Sequence, residues 1–357
     1  MIPLLKKIVP FGFRLARPNI LFWTLPAMMI LILFGTIAQK TIGTFTAQQE
    51  YFSSFFVLIG GILPFPGGAT LLTIFFVNLL AKFLLRSEWS WAKAGTNLSH
   101  FGVILLVFGA LLTALASREG YLLIPQGTSR NMVEDYHAKQ MVIRKDGLPL
   151  LVVAAQDLAN GQSFNIQGTK LTLTISTYCE NCDLVWTDGR AKLTAAKPDP
   201  QDEKNRTGIS FTLSGSASHD GPYLTFDKAP QPPVFEENGH SFQIALERET
   251  QELPFSIELK KFEQKLHPGT DMAKSYSSDV MVHDATGSWP ATISMNQPLR
   301  YRGYTFYQSS FDLSDKTPAT VLAVVQNRGR IFPYLASALI ALGLLFHISL
   351  RLKRSLP

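Results

Sequence analysis

Apolar residues crowd into four long uncharged runs, and between the third and the fourth the pattern changes to short alternating stretches. A bilayer crossing takes about 20 predominantly apolar residues. The first candidate is 20–38 (ILFWTLPAMMILILFGTIA), with no charge between Arg17 and Lys40. The next uncharged run reaches from Tyr51 to Ala81, and FPGG at 65–68 divides it. Proline and glycine are poor inside a helix. The piece EYFSSFFVLIGGIL, near 51–66, therefore reads as interfacial or re-entrant, and the second span as 69–85. The third span lies within 94–117 and the fourth is 331–350 (IFPYLASALIALGLLFHISL). A secretory signal fits the first run poorly, because the run is long and no small-x-small cleavage site follows closely.

The stretch between spans three and four reads as mainly β. KLTLTIS (170–176), GISFTLSG (208–215), FSIELKKF (255–262), YSSDVMVHD (276–284) and YTFYQSSF (304–311) alternate or are rich in β-branched and aromatic residues. Turn signals separate them at Asn160, Asp220, Asn238 and Ala285. GQSFNI at Gly161 and GHSFQI at Gly239 look alike, as two similar β units would. KPDPQDEKNRTG (197–208) is polar and proline-containing and reads as a mobile surface loop. The expected fold is four transmembrane α-helices plus a large mainly-β extracytoplasmic domain inserted between spans three and four. Its parts are a cytoplasmic N-terminus (1–18), a three-span region (19–117), the β domain (118–330), the fourth helix (331–350) and a cytoplasmic C-terminus (351–357).

Charge settles the expected orientation rather than the fold. Lys6, Lys7, Arg14 and Arg17 precede span one, Arg86 and Lys93 separate spans two and three, and Arg351, Lys353 and Arg354 follow span four. With four spans all three groups fall on one side, which is cytoplasmic by the positive-inside rule. Arg118, Arg328 and Arg330 run against it, but long translocated domains are largely exempt. The β domain is thus expected outside, in a periplasm or its equivalent. In the 357 residues 46% are hydrophobic and 17% charged, below the roughly 25% charged of soluble domains. The net charge of +6 is not gathered into a patch, so no nucleic-acid partner is indicated.

Candidate chemistry is sparse. His100 lies in the first two turns of span three, where a neutral imidazole carries a donor and an acceptor that lipid cannot satisfy. Thr96 and Asn97, four and three residues earlier, are expected to share its face. Gly95, Ser99, Gly102, Gly109 and Thr113 form another stripe, suited to close helix approach. Two readings of His100 stand: an interfacial histidine bonded to a headgroup, water or carbonyl, and an axial ligand to haem iron in an apolar shell. His347, near the end of span four, is expected within about 5 Å of the same depth. Paired ligation by the two is possible, as is simple snorkelling of His347 beside Arg351.

Cys179 and Cys182 form the only CxxC, in STYCENCDLVW. Asp183 stands where c-type haem attachment needs histidine. Glu180 and Asp183 raise rather than lower a thiol pKa, which favours a local structural disulfide over a redox nucleophile. His137, His219, His240, His267 and His283 are scattered without ligand spacing. There is no P-loop, GxGxxG or GxSxG.

Several longer stretches carry a resemblance. NLSHFGVILLVFGALLTALASREGYLLIPQG is similar to the third span and exit segment of ResB (CcsB) proteins, which belong to cytochrome c biogenesis System II. KLHPGTDMAKSYSSDVMVHD and ISMNQPLRYRGYTFYQSSFD, within 265–312, resemble the same family more specifically, as do TVLAVVQNRGRIFPYLASALIALGLLFHI and FVLIGGILPFPGG. About 161–256 matches only loosely. The resemblance implies a membrane subunit that works with CcsA (ResC) to carry haem b from the cytoplasmic side to the outer face. There the haem is joined to the CxxCH thiols of an apocytochrome c. It implies haem as transported substrate rather than resident cofactor, and haem-lyase activity only in complex with CcsA. The family's haem-ligating histidine of span three corresponds to His100, with His347 as a further candidate. The tryptophan-rich signature of CcsA is absent from this chain. A bacterial inner membrane is the expected site, ahead of a thylakoid. The competing reading is a membrane-anchored periplasmic binding or scaffold module, with Cys179 and Cys182 in thiol exchange and no haem.

Overall fold

The computed structural model describes residues 11–355 apart from 188, 217, 271 and 314–316. Lys6 and Lys7 lie outside the described residues, as do the side chains of Lys353 and Arg354. The chain divides into two compact units: residues 1–118 with 326–357, and residues 119–325.

The first unit holds four helices long and apolar enough to cross a membrane. They are α1 (Pro18–Ile42), α2 (Gly68–Arg86), α3 (Ala94–Ala116) and α4 (Phe332–Ser355). Proline at the start of α1 is tolerated because the first helical N–H groups have no intrahelical acceptor. The buried Asn78 of α2 donates to the carbonyls of Leu15 and Arg17, at the join between the preceding helical turn and α1. Between α1 and α2 the chain makes a short helical turn, Thr44–Ala47, a wider one, Gln48–Ser53, and an antiparallel hairpin of β1 (Phe56–Ile59) and β2 (Leu63–Pro66). The stretch read as interfacial or re-entrant therefore has a defined form.

The α3–α4 seam is made by absent side chains. A Cβ on Gly95 would stand 2.5 Å from the backbone nitrogen of His347, and one on Gly102 3.0 Å from the Ala336 carbonyl oxygen. From the other side, a Cβ on Gly343 would stand 2.4 Å from Ser99 Oγ. Small residues bring the two backbones into contact, and dispersion then replaces the hydrophobic drive that lipid cannot supply. Thr113 Oγ1 donates to Asn327 Oδ1 at 3.0 Å and holds the far end.

The second unit is β throughout, apart from short helical turns. Its strands are β3 (Arg118–Pro125), β4 (Ser129–Lys145), β5 (Leu148–Ala154), β6 (Ser163–Asn165), β7 (Thr172–Cys179), β8 (Cys182–Thr187), β9 (Arg190–Ala195), β10 (Gly208–Ser214) and β11 (Gly221–Phe226). They continue with β12 (Val234–Glu237), β13 (His240–Leu266), β14 (Ala273–Asp284), β15 (Gly287–Ser294), β16 (Leu299–Tyr301), β17 (Tyr304–Asp312) and β18 (Ala319–Gln326). A ten-stranded sheet runs β15-β14-β13-β4-β3-β18-β17-β16, with β12 and β5 joined to β13 and β4. A four-stranded sheet runs β11-β10-β7-β6, and β8 pairs β9.

One strand serves two cores. Phe242, Ile244 and Leu246 of β13 pack with Leu173, Ile175 and Phe211 of the smaller sheet. Further along, Leu253, Phe255, Ile257 and Leu259 pack with Ile124, Val282 and Phe306. The inward positions change from even to odd because the β13–β4 register shifts after Arg248 and again after Glu252. A bulge adds an unpaired residue and so reverses which face each side chain takes.

Stretch 197–208 differs from the mobile loop expected of it. Asn205 is buried, its Oδ1 accepts from the Asp199 amide, and its Nδ2 donates to the Asp199 carbonyl. Asp202 bonds His137 Nδ1 at 2.7 Å. Polar composition concealed these anchors, since Asn and Asp side chains can brace a backbone as well as meet water.

Candidate functional site

The 3₁₀ turn Trp91–Lys93 leads directly into α3, so His100 falls in the second turn of the helix, about 9 Å from its start. Its imidazole is half-buried. The neighbours expected to share its polar face bond elsewhere. Thr96 Oγ1 meets His347 Nδ1 of α4 at 3.2 Å, and Asn97 Nδ2 donates to the Glu88 carbonyl at 2.9 Å. The reason is geometric: four residues on, a helix has turned about 40° past a full circle. Thr96 thus stands nearer the α4 seam than His100 does, and Asn97 nearer the α2–α3 connector.

His100 and His347 are not brought together. Among the described residues they share no hydrogen bond or ring contact, and His347 is engaged by Thr96 instead. With Nδ1 as donor to the threonine, His347 keeps a lone pair on Nε2; with the threonine as donor, Nε2 carries the proton.

On the next face of α3, without His100 in its lining, lies a cleft of about 550 Å³ bounded by Phe83, Trp89, Trp91, Asn97, Leu98 and Phe101, with Ser90 and Ala94. Phe83 stacks on Phe101 at 5.9 Å and meets Trp89 edge-on at 5.2 Å. The volume is that of a small-molecule site, and the lining is aromatic with few polar groups. Sequence reasoning passed over this feature. The available signal was SEWSW, two tryptophans in a short polar connector where amphipathic rings suit a membrane interface.

Cys179 and Cys182 are joined by a disulfide, with their Cα atoms 5.6 Å apart. The pair is 5% and 3% exposed and packed with Leu193, Leu184 and Leu224. An incoming thiolate must reach a sulfur to exchange, and this packing shields both sulfurs. Three of the other five histidines pair with carboxylates, His137 with Asp202, His240 with Asp146 and His283 with Glu258, and the His219 ring lies against Phe235. Among the described residues no group of three or more His, Cys, Asp or Glu could hold a metal ion.

The β unit has a polar cleft of about 510 Å³, whose lining includes Glu134, Arg144, Thr225, Asp227, Lys228 and Arg248. Asp227 lies 4.0 Å from both Lys139 Nζ and Arg248 Nε, wide enough for a bridging water. Burial pushes the Lys139 ammonium below the usual lysine range, against the pull of Asp227.

Four helices of crossing length and a separate β unit define a membrane protein with a histidine inside its third helix. Residues 234–329 match the model of the ResB-like family. The chain is also similar to Protein NrfI of Wolinella succinogenes, at 28% identity over 289 residues, which is 78% of this chain and 30% of NrfI. Over residues 234–329 the chain is ResB-like, and the likeness points to a role in cytochrome c biogenesis. It spans less than a third of the length of the curated relative it matches.

Proposed function

We propose that this chain is a haem-handling subunit of a cytochrome c synthase, working with a CcsA (ResC)-type membrane partner. The ResB-like match of residues 234–329 and the similarity to NrfI support the coarser statement, a role in cytochrome c biogenesis. In the finer reading haem b is cargo. It passes from the cytoplasmic side to the outer face and is joined there to the CxxCH thiols of an apocytochrome c. The basic residues flanking the helices support cytoplasmic termini and a periplasmic β unit.

The observation that carries this reading is the place of His100, an imidazole within a helix of crossing length and next to an aromatic cleft. The residues fit the cargo. Phe83, Trp89 and Phe101 offer flat apolar surface that excludes water, and His100 offers a nitrogen lone pair to iron. Bound haem supplies the vinyl groups for thioether formation, while the protein supplies position and axial electronics.

The second axial ligand is better sought outside the chain than at His347. A flat macrocycle needs carbon contacts of about 3.5–4 Å on each face. The α3–α4 seam is closed to backbone contact at Gly95 and His347, leaving no such gap. Haem held by His100 then lies on a side of α3 turned away from that seam, and the opposite ligand comes from the partner.

The test is a visible spectrum of the purified full chain, alone and with its partner, for wild type and His100→Ala. A Soret band in wild type that is lost in the variant, with helix content unchanged by circular dichroism, is expected. An equal band in both would remove His100 from the site. A band lost in His347→Ala but kept in His100→Ala would overturn the assignment of ligands.

A further inference from the structure

The β1–β2 hairpin is apolar on both of its faces. From Phe55 to Ala69 the chain reads FFVLIGGILPFPGGA, without one polar side chain. A hairpin standing in water turns one apolar face to its core and one polar face outward. Here Val57 and Ile59 face inward, into a core with Leu31 of α1 and Leu71 of α2. Phe56 is 76% exposed and Ile62 87%, and Phe55, Leu58 and Leu63 are exposed with them.

The root of the hairpin lies below the end of α1. A Cβ on Gly35 would stand 2.6 Å from the Phe52 ring, and one on Gly68 2.3 Å from the Phe52 carbonyl oxygen. Gly35 is seven residues before Ile42, so the chain has folded back about 10 Å before the hairpin begins. Leu31, in the same core, is about 16 Å back. The apolar run of α1 continues past Gly35 to Ala38. The hairpin thus starts at a depth where its flanking helices are still apolar.

The β2 edge of its backbone suits that depth. Lipid offers no hydrogen-bond partner, so free N–H groups there are costly. Leu58 pairs with Pro64 and Phe56 with Pro66. In an antiparallel ladder, residues alternate between those that bond across and those whose groups point outward. Proline cannot bond across, so positions 64 and 66 are the outward ones, and the free edge of β2 carries no N–H donor. Gly60 and Gly61, at φ +62° and +75°, which L side chains rarely adopt, close the strands in a three-residue turn with Ile62. The polar groups at the root are engaged: Ser54 Oγ donates to the Glu50 carbonyl, and Thr70 Oγ1 and the Gly67 amide to the Phe55 carbonyl.

We propose that the hairpin β1–β2 is a wedge in the membrane, its outer face of Phe55, Phe56, Leu58 and Ile62 covered by lipid acyl chains in the leaflet where α1 ends. It anchors the α1–α2 pair at a fixed depth without an amphipathic helix.

The test uses the full chain in phosphatidylcholine–phosphatidylglycerol vesicles, spin-labelled at Ile62→Cys or, separately, at Phe56→Cys. Both native cysteines are held in the buried disulfide and do not take label. Glu249→Cys, exposed in the β unit, is the aqueous control. Power saturation by oxygen is expected to exceed that by a nickel chelate several-fold at 62 and 56, with the order reversed at 249. Chelate access at 62 and 56 equal to that at 249 would put the hairpin in water. Labels reached by neither reagent would put it under protein, in a second copy or a membrane partner. Either result overturns the proposal, and the β-unit melting temperature confirms that each labelled chain is folded.

Discussion

Replacing both cysteines, Cys179→Ala with Cys182→Ala, separates the two readings of function by magnitude. The disulfide closes only four residues, a separation of 3 with both ends counted. In the chain-entropy model such a loop restricts the unfolded chain by about 6 cal/mol/K, or about 2 kcal/mol at 25 °C. The sulfurs are buried among leucines, and lost packing adds about 1 kcal/mol, the value of a buried methylene. In a domain of this size 1 kcal/mol moves the melting temperature by roughly 2–4 °C. The β unit should therefore melt about 6–12 °C lower in the variant, as followed by near-ultraviolet circular dichroism on the full chain. Alanine is the right replacement, because a buried serine hydroxyl without a partner would add its own penalty of about 1–3 kcal/mol. Cytochrome c maturation, read as covalently bound haem on a reporter cytochrome, should match wild type at temperatures below the new transition. Loss of maturation with a melting temperature shifted by under about 2 °C would refute the reasoning and give the thiols a chemical role.

Two further outcomes follow from the same structure. Gly102→Leu drives a side chain into Ile340 and the Ala336 carbonyl; overpacking of this kind costs about 1–3 kcal/mol. Thermal loss of helix signal in detergent should come earlier for this variant than for Ala110→Leu on an exposed position of α3, and equal midpoints would mean that the seam yields freely. The hydrogen bond from His137 holds the Asp202 carboxyl below the usual carboxylate range, with Lys139 adding to the effect. A carboxylate depressed in the folded state stabilises above its unfolded pKa of about 4 and loses that contribution as pH falls through the folded value. Asp202→Asn should lower the melting temperature at pH 7, and the gap should begin to close as pH falls below about 4; a difference constant from pH 3 to 7 would discount the pair.

How much of this was readable beforehand depends on which physical force wrote each part. The four helices are legible because lipid selects composition, and composition survives without any knowledge of contacts. The predicted strands 208–215, 276–284 and 304–311 fall on β10, β14 and β17 because each keeps one parity along its length. FSIELKKF at 255–262 and GHSFQI at 239–244 read as separate pieces, yet β13 runs through both. The register shifts between them break the alternation that marks a strand. β4 escaped notice for a different reason: SRNMVEDYHAKQMVIRK is mostly polar, and only Met141–Ile143 is wholly buried. The apolar hairpin escaped because a ribbon greasy on both faces has no alternation to find, although PFPGG did mark a break in the helix.

The candidate site shows the same division. The stripe of Gly95, Ser99, Gly102, Gly109 and Thr113 announced a close helix seam, since nothing but close approach rewards small residues spaced along one face. What lay across that seam was not legible: Thr96 and His347 meet over a separation of 251 positions. Equal depth alone made the two histidines plausible partners for one iron. The seam changes that, because the small residues that draw α4 onto α3 also remove the space a porphyrin would need between them. Enlarging the seam is then the informative experiment on the second ligand. If Gly95→Ala disturbs His347 but leaves the haem spectrum of the complex unaltered, the ligand opposite His100 belongs to the partner. If the spectrum shifts as it does in His347→Ala, the two imidazoles share the iron and the seam must open to admit it.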